Sequence, residues 1–228
     1  MTKLKTHPLY AAVFISLFTL VNSACAQETT AAASQARAAA VQDKIPLTSE
    51  LSELLPGSYV LEHSHGRVHW GVNHHGFSTF RAVFPMNQAE LTIDANNIEN
   101  STLLATVDMT KVDTSIDVFD KRLQGAKFFN TEKYPTSTFR STKIVDNGDN
   151  TMTVSGDLTF LGITKPAVMN VAFKQAGHAN SPPAGYRIGF DATMIVNRSE
   201  FGMRKTTISE EVELLIEAEF VIPQGAAK

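Results

Sequence analysis

The sequence predicts an all-β protein: an antiparallel β-barrel of about eight strands, with a short lid helix around residues 113–124. Three observations predict it. Val212, Leu214, Ile216, Ala218, Phe220 and Ile222 alternate with Glu213, Glu217 and Glu219, the period of a strand with one buried and one wet face. Weaker alternation recurs along most of the chain, punctuated by turn residues such as Gly76, Asn96-Asn97 and Asp146-Asn147-Gly148-Asp149-Asn150. Only one stretch, Val112 to Gly125, has helical spacing instead. Successive antiparallel strands favour closure, because a closed sheet has no unpaired edge.

Ahead of the barrel lies a targeting signal. Lys3 and Lys5 form a positive n-region, Leu9 to Val21 an apolar h-region, and Ala24-Cys25-Ala26 a small-residue cleavage site. Residues 1–26 therefore read as a cleaved signal peptide, and the protein as exported to the periplasm. Cys25 is the sole cysteine. Its lipidation would make the protein a membrane-anchored lipoprotein, but Asn22 stands where such a signal wants an apolar residue. Either way the fold contains no thiol, which excludes a cysteine nucleophile, a cysteine metal site and an intramolecular disulfide. The full chain carries a formal charge of −3, and no basic stripe interleaved with aromatics, so no nucleic-acid partner is expected.

Residues 27–56 are an alanine-rich linker, in which Leu51, Leu54 and Leu55 form one amphipathic turn able to pack on the domain before Pro56-Gly57 ends it. Residues 57–223 make one barrel domain, and 224–228 a tail. Its strands are expected at Ser58–Glu62, Arg67–His74, Ser78–Phe84, Glu90–Ala95 and Thr102–Asp108, then Ser137–Val145 and Thr151–Phe160 as a hairpin. Gly162-Ile163-Thr164-Lys165-Pro166 turns the chain into Ala167–Lys174, a polar loop spans Gly177–Gly185, and Tyr186–Val196 precedes the last strand. In the lid, Asp113 or Ser115 can accept from the first-turn N–H groups, Ile116, Phe119 and Leu123 share a face, and Gly125 suits a left-handed stop.

The aromatic complement is phenylalanine-heavy: fourteen Phe against one Trp and four Tyr. Phenylalanine supplies contact area without a polar tip that needs a partner. Composition alone suits an ordinary filled core; a dry tunnel for a long hydrocarbon is the sharper alternative.

Catalytic machinery is not visible. Ser64 lacks the Gly-x-Ser-x-Gly frame of a nucleophile elbow, Gly156, Gly162 and Gly189 are too dispersed to cradle a phosphate, and capping and solvation account for Asp113, Asp117 and Asp120. His63, His65, His69, His74 and His75 form the one chemically suggestive cluster. Strand alternation puts His69 with Arg67 and Asn73 on one face, and His74 with Val68, Trp70 and Val72 on the other. A two-strand metal site pairing His63 or His65 with His69 is geometrically open, and imidazoles suit zinc, copper or nickel, but no third ligand can be named.

Several separated runs resemble one family. They are Tyr59-Val60-Leu61-Glu62-His63-Ser64, Val72-Asn73-His74-His75-Gly76-Phe77-Ser78, Val112-Asp113-Thr114-Ser115, Asp120-Lys121-Arg122-Leu123, Phe128-Phe129-Asn130-Thr131-Glu132-Lys133-Tyr134-Pro135, Thr138-Phe139-Arg140-Ser141-Thr142, and Gly156 through Gly162-Ile163-Thr164-Lys165-Pro166. Together they resemble the YceI-like family of bacterial periplasmic proteins. The resemblance implies a lipocalin-like barrel, a homodimer, and an apolar tunnel holding a polyisoprenoid lipid, a quinone or an isoprenyl chain. It implies no catalysis, no metal and no cofactor beyond the non-covalent isoprenoid; transient membrane contact would accompany lipid exchange. Phe119, Arg122 and Gln124 stand where relatives often carry basic or histidine residues, which shifts the expected head group from a diphosphate towards a neutral, quinone-like one.

The binding physics needs no family name. A polyprenyl chain exposes several hundred Å² of apolar surface, whose burial at about 25 cal/mol per Å² is worth on the order of 10 kcal/mol before association costs. Strand phase nominates Trp70, Val72, Phe77, Phe80, Leu123, Phe128, Phe129, Phe139, Leu158, Phe160 and Phe190 as lining, with Arg122, Lys127 and Arg140 facing a polar head at the mouth. The carrier reading and the metal reading are the two alternatives that the structure must separate.

Overall fold

The structure, a computed structural model, describes residues 46–179 and 185–223. The signal peptide, the linker up to residue 45, the centre of the Gly177–Gly185 loop and the tail lie outside the described residues.

Among the described residues, nine strands form one closed antiparallel sheet. They are β1 (Gly57–Leu61), β2 (Arg67–His74), β3 (Ser78–Ile93), β4 (Thr102–Asp108), β5 (Thr136–Asp146), β6 (Thr151–Phe160), β7 (Ile163–Ala179), β8 (Gly185–Asn197) and β9 (Glu211–Val221). From β3 to β9 every strand pairs with its sequence neighbour, and β3 closes the ring. Strands β1 and β2 share the one remaining station. Strand β2 lies between the first half of β3 (Trp70↔Ala82) and β9 (Trp70↔Leu214), while β1 continues the same station against the second half of β3 (Tyr59↔Leu91) and the end of β9 (Leu61↔Phe220). The barrel therefore has eight stations. The break between β1 and β2 is a single turn at His63–His65, capped by the Glu62 carboxylate, which accepts from Ser64 N.

Several boundaries differ from the sequence expectation. Ser78–Phe84 and Glu90–Ala95 are one strand, β3, which carries Pro85 in its interior. The missing N–H is harmless there, because Pro85 pairs with Arg67 at the start of β2, just where the ladder changes partner from β2 to β4. A bulge between Met86 and Gln88 takes up the change, and Met86 N donates instead to Gly66 O at 3.0 Å. The turn expected over Gly162–Pro166 is only Leu161-Gly162, both with positive φ, and β7 starts at Ile163. Here a Cβ on Gly162 would lie 2.5 Å from the Tyr134 ring. The Lys-Tyr-Pro and Gly-x-Thr-Lys-Pro segments are thus two halves of one contact. Residues 46–56, read as the end of a linker, pack on the domain: Thr48 exchanges two backbone hydrogen bonds with Ala176, and Leu51 and Leu54 are buried.

The helix, α1 (Asp117–Gln124), is shorter than expected and differently capped. Its N-cap is Ile116, with no side-chain cap. Asp113 accepts from Ser115 N at 2.7 Å, and Asp120 reaches back to accept from Thr114 N at 2.8 Å, so the acids order the approach to the helix rather than its first turn. Gly125 is extended, not left-handed, and donates to Arg122 O at 3.2 Å. Phe119 and Leu123 point inward, whereas Ile116 is exposed. Two backbone hydrogen bonds between Asp113 and Val83 tie the approach to β3.

Candidate functional site

Inward-facing residues of all eight stations enclose a cavity of about 1250 Å³ that runs between Phe128 and Phe160 at the lid and Ile93, Met152 and Phe220 at the far end. The interior is a tunnel, not a filled core. At the lid end the wall reaches solvent through His74, His75, Gly125, Ala126, Lys127, Arg204, Thr206 and Thr207, all exposed.

Beyond the buried residues of the far end stands a tyrosine clasp. Tyr59 and Tyr186, each 1% exposed, stand with ring centroids 6.2 Å apart. The Tyr59 hydroxyl donates to Leu55 O at 2.8 Å, and Leu55 N donates to the Tyr186 hydroxyl oxygen at 3.2 Å. Nearby, Leu51 N donates to Asn150 Oδ1 at 2.9 Å. Burial pushes both tyrosine pKa values upward, with Tyr186 adding to the effect on Tyr59.

Beneath the lid the wall is aromatic. Phe129 is central, with ring centroids 5.4 Å from Phe84, 6.1 Å from Phe160 and 6.3 Å from Trp70. Phe80 joins Trp70 at 5.9 Å to Phe119 of α1 at 5.5 Å. Phe128 stands half-buried at the mouth, with the Arg122 guanidinium 5.7 Å from its centroid. The chain places Phe128-Phe129 here because Phe129 N donates to Leu123 O at 2.9 Å and Phe128 N to Gly125 O at 3.0 Å, folding the segment back under the helix.

Ten of the eleven nominated lining residues stand on the cavity wall: Trp70, Val72, Phe80, Leu123, Phe128, Phe129, Phe139, Leu158, Phe160 and Phe190. Phe77 does not. It occupies the β2–β3 turn and is 89% exposed, because positive φ at His75 and Gly76 carries it past the end of the strand alternation. Of the three nominated cations, Arg122 and Lys127 border the cavity, but Arg140 is on the outer face, since Phe139 takes the inward position beside it. The sequence reading missed Phe84, Phe119, Arg198, Arg204 and a set of methionines. Every methionine except Met1 lines the cavity: Met86, Met109, Met152, Met169, Met194 and Met203. Unbranched thioethers make an adaptable wall. For Met86, Met152, Met169 and Met194 the inward phase of their strands was the available signal; Met109 and Met203 lie in turns, where no such phase exists.

Polar atoms in this wall are few. Arg198 is buried and fully committed to the mouth loop, donating to Ser209 O at 2.9 Å, Arg204 O at 2.8 Å, Thr206 Oγ1 at 2.9 Å and Ile208 O at 3.1 Å. The Trp70 Nε1–H is buried with no hydrogen-bond partner. No carboxylate is among the described residues of the wall.

The histidines do not gather into one site among the described residues. His69 Nε2 lies 3.4 Å from Glu217, and His74 and His75 stack edge to face at the mouth, 4.6 Å apart. His65 Nδ1 contacts Glu62 and lies 3.8 Å from Glu219, giving a three-group cluster on the barrel exterior. Both carboxylates there are engaged otherwise, Glu62 by the Ser64 hydroxyl at 2.6 Å and Glu219 by Arg187 at 2.6 Å. The geometrically open pairing of His63 or His65 with His69 does not form: His65 and His69 each have their own carboxylate, Glu62 and Glu217.

Comparison with known proteins agrees with this geometry. The model of the YceI-like domain family matches residues 59–220. A UPF0312 protein of Vibrio cholerae is 35% identical over 158 residues, 69% of this chain and 82% of that protein. Protein YceI of Escherichia coli O157:H7 is 35% identical over 163 residues, 70% of this chain and 83% of that protein. Among solved structures, Burkholderia cenocepacia BcnA superposes with a TM-score of 0.62 at 19% identity, covering 70% of this chain and 98% of that one. A Saccharophagus degradans domain described as polyisoprenoid-binding gives 0.51 at 14% identity, covering 74% of this chain and 100% of that domain. At these identities the two structures attest the fold.

Proposed function

This chain belongs to the YceI-like family, and we propose that it is an exported, non-catalytic carrier or store for a polyisoprenoid lipid, held chain-first in the barrel with its polar end towards the lid. The observation that carries the reading is the cavity of about 1250 Å³, apolar along its length, sealed at one end and open at the other. Burying a prenyl chain there is worth on the order of 10 kcal/mol before association costs, with no strong polar contact needed. The binding description attached to the Saccharophagus degradans domain, which shares the fold, supports the same ligand class.

Three further parts of the proposal rest on surface features. Phe77, 89% exposed, and Val118, 76% exposed, flank the mouth beside Arg122 and Lys127, a rim suited to brief contact with a membrane during loading. Val168, Ile195 and Leu215 are exposed on the outer faces of the consecutive strands β7, β8 and β9, a patch suited to a homodimer. The Lys3/Lys5, Leu9–Val21 and Ala24–Ala26 pattern supports export with removal of residues 1–26. Sedimentation of the mature protein tests the dimer, and its N-terminal sequence tests the cleavage.

Organic extraction of protein purified from its periplasm, followed by mass spectrometry, tests the carrier reading. A prenyl lipid is expected from the wild type, with a much lower yield from Phe128→Asp. Extracts without lipid from both proteins would contradict it.

A further inference from the structure

We propose that the open end of the barrel docks on a bilayer surface bearing anionic phospholipids, with Phe77 and Val118 entering the interface and Arg122, Lys127 and Arg204 meeting lipid phosphates. The inference rests on the lipid-carrier reading and adds to it the charge of the membrane that exchanges the lipid and the face that meets it.

The chain as a whole is acidic, with a formal charge of −3, so attraction to an anionic surface requires that its charge be unevenly placed. The antiparallel order puts alternate connections at opposite ends of the barrel. At the far end, segments 46–56, 94–101 and 146–150 carry Glu50, Glu53, Asp94, Glu99, Asp146 and Asp149, and no lysine or arginine. At the lid end the balance reverses. Segment 109–135 holds five lysines and arginines against four acids, and segment 198–210 holds three against two. Most of those acids lie away from the opening. Asp113, Asp117 and Asp120 border a separate shallow pocket outside β3, with Lys111 and Lys121. Glu210 is held by the Ser199 hydroxyl at 2.8 Å and by Lys205 at 3.3 Å. No carboxylate among the described residues borders the cavity, whereas Arg122, Lys127 and Arg204 all border it and are exposed.

Charge alone would give a loose, easily screened contact. Beside these cations stand two apolar side chains in water: Phe77 in the β2–β3 turn, and Val118 in α1 next to Phe119, whose ring is 5.5 Å from that of Phe80. Apolar side chains flanked by lysine and arginine are the composition of segments that lie in the headgroup region of a bilayer. The negative potential of an anionic leaflet attracts the basic end and repels the acidic one, so the barrel approaches with its opening towards the lipid. A prenyl chain can then enter or leave the tunnel without crossing water.

Flotation of the mature protein with vesicles tests this, using phosphatidylcholine alone or mixed with about one third phosphatidylglycerol. Binding to the anionic vesicles is expected to exceed binding to the neutral ones by about tenfold and to fade as salt is raised. Arg204→Glu and, independently, Lys127→Glu should each reduce anionic binding about tenfold, and Phe77→Ser should weaken it at every salt concentration. Glu50→Lys, an equal and opposite change of charge at the far end, should leave it unchanged. Equal binding to the two vesicles would overturn the proposal. A gain in Glu50→Lys that matches the loss in Arg204→Glu would also overturn it, by showing that net charge governs the attraction and not this face. A dimer lost on sedimentation of Phe77→Ser, with vesicle binding unchanged, would give the face to a second copy of the chain instead. The carrier reading is judged apart from these outcomes, by the prenyl lipid extracted from the same wild-type protein.

Discussion

The two ends of the barrel are built on opposite principles. At the far end, aromatic side chains with polar tips are buried and their tips are paired: Tyr59 and Tyr186 clasp Leu55, and Asn150 holds Leu51. At the lid end the aromatic residues are mainly phenylalanines, the charged groups ring an opening, and the one buried indole is unpaired. An end closed by paired polar groups contributes stability; an open, hollow end forgoes packing in exchange for a place to put a ligand. Substitutions at the two ends should therefore separate folding from binding.

The largest effect is expected from Tyr186→Ala. It removes a buried ring and leaves Leu55 N without its acceptor, so stability in denaturant unfolding should fall by about 3–5 kcal/mol. Phe129→Ala tests the other end. Its ring joins Trp70, Phe84 and Phe160, but one side already faces open space, so the expected cost is smaller, about 2–3 kcal/mol, while retained lipid drops sharply. An equal stability loss with lipid content unchanged would erase the contrast between the ends.

The clasp should also show in pH. Both tyrosines have raised pKa values in the fold, so the neutral forms are favoured there. Their contribution is fully present below the ordinary value of 10.0 and is lost as pH rises above it. Stability is expected to decline above pH 10 in the wild type, and Tyr59→Phe should flatten that decline at a cost of about 1 kcal/mol near neutrality. The smallest effect concerns Glu62. Partial burial alone would raise its pKa, but hydrogen bonds from Ser64 and His65 hold it down at about 2. Its contribution is present above 4.5 and is lost as pH falls from there towards 2, so Glu62→Gln should soften the acid limb of the stability profile.

Much of this was legible in the sequence because a barrel strand has a fixed period. On β2, alternation placed Val68, Trp70 and Val72 inward and His69 outward, as found. On β9, Phe220 and Ala218 are buried where the pattern put them. Legibility failed where the period was broken. The β2–β3 turn takes Phe77 out of phase, and the bulge at Met86–Gln88 let one long strand, β3, pass for two. Arg140 was nominated by its charge, although its neighbour Phe139 had already fixed its face. The lid caps were misassigned because Asp113 and Asp120 both serve the Thr114-Ser115 approach, a choice among adjacent carboxylates that local sequence leaves open. The volume between the walls depends on how far eight stations stand apart, and no residue pattern encodes that distance directly.

The central claim is that the barrel holds a continuous apolar tunnel that takes a long chain. Affinity measured across a series of prenyl ligands of increasing length tests it most directly. Each added isoprene unit is expected to tighten binding until the cavity is full, after which affinity should level off. Affinity independent of chain length from the shortest ligand onwards would contradict the account.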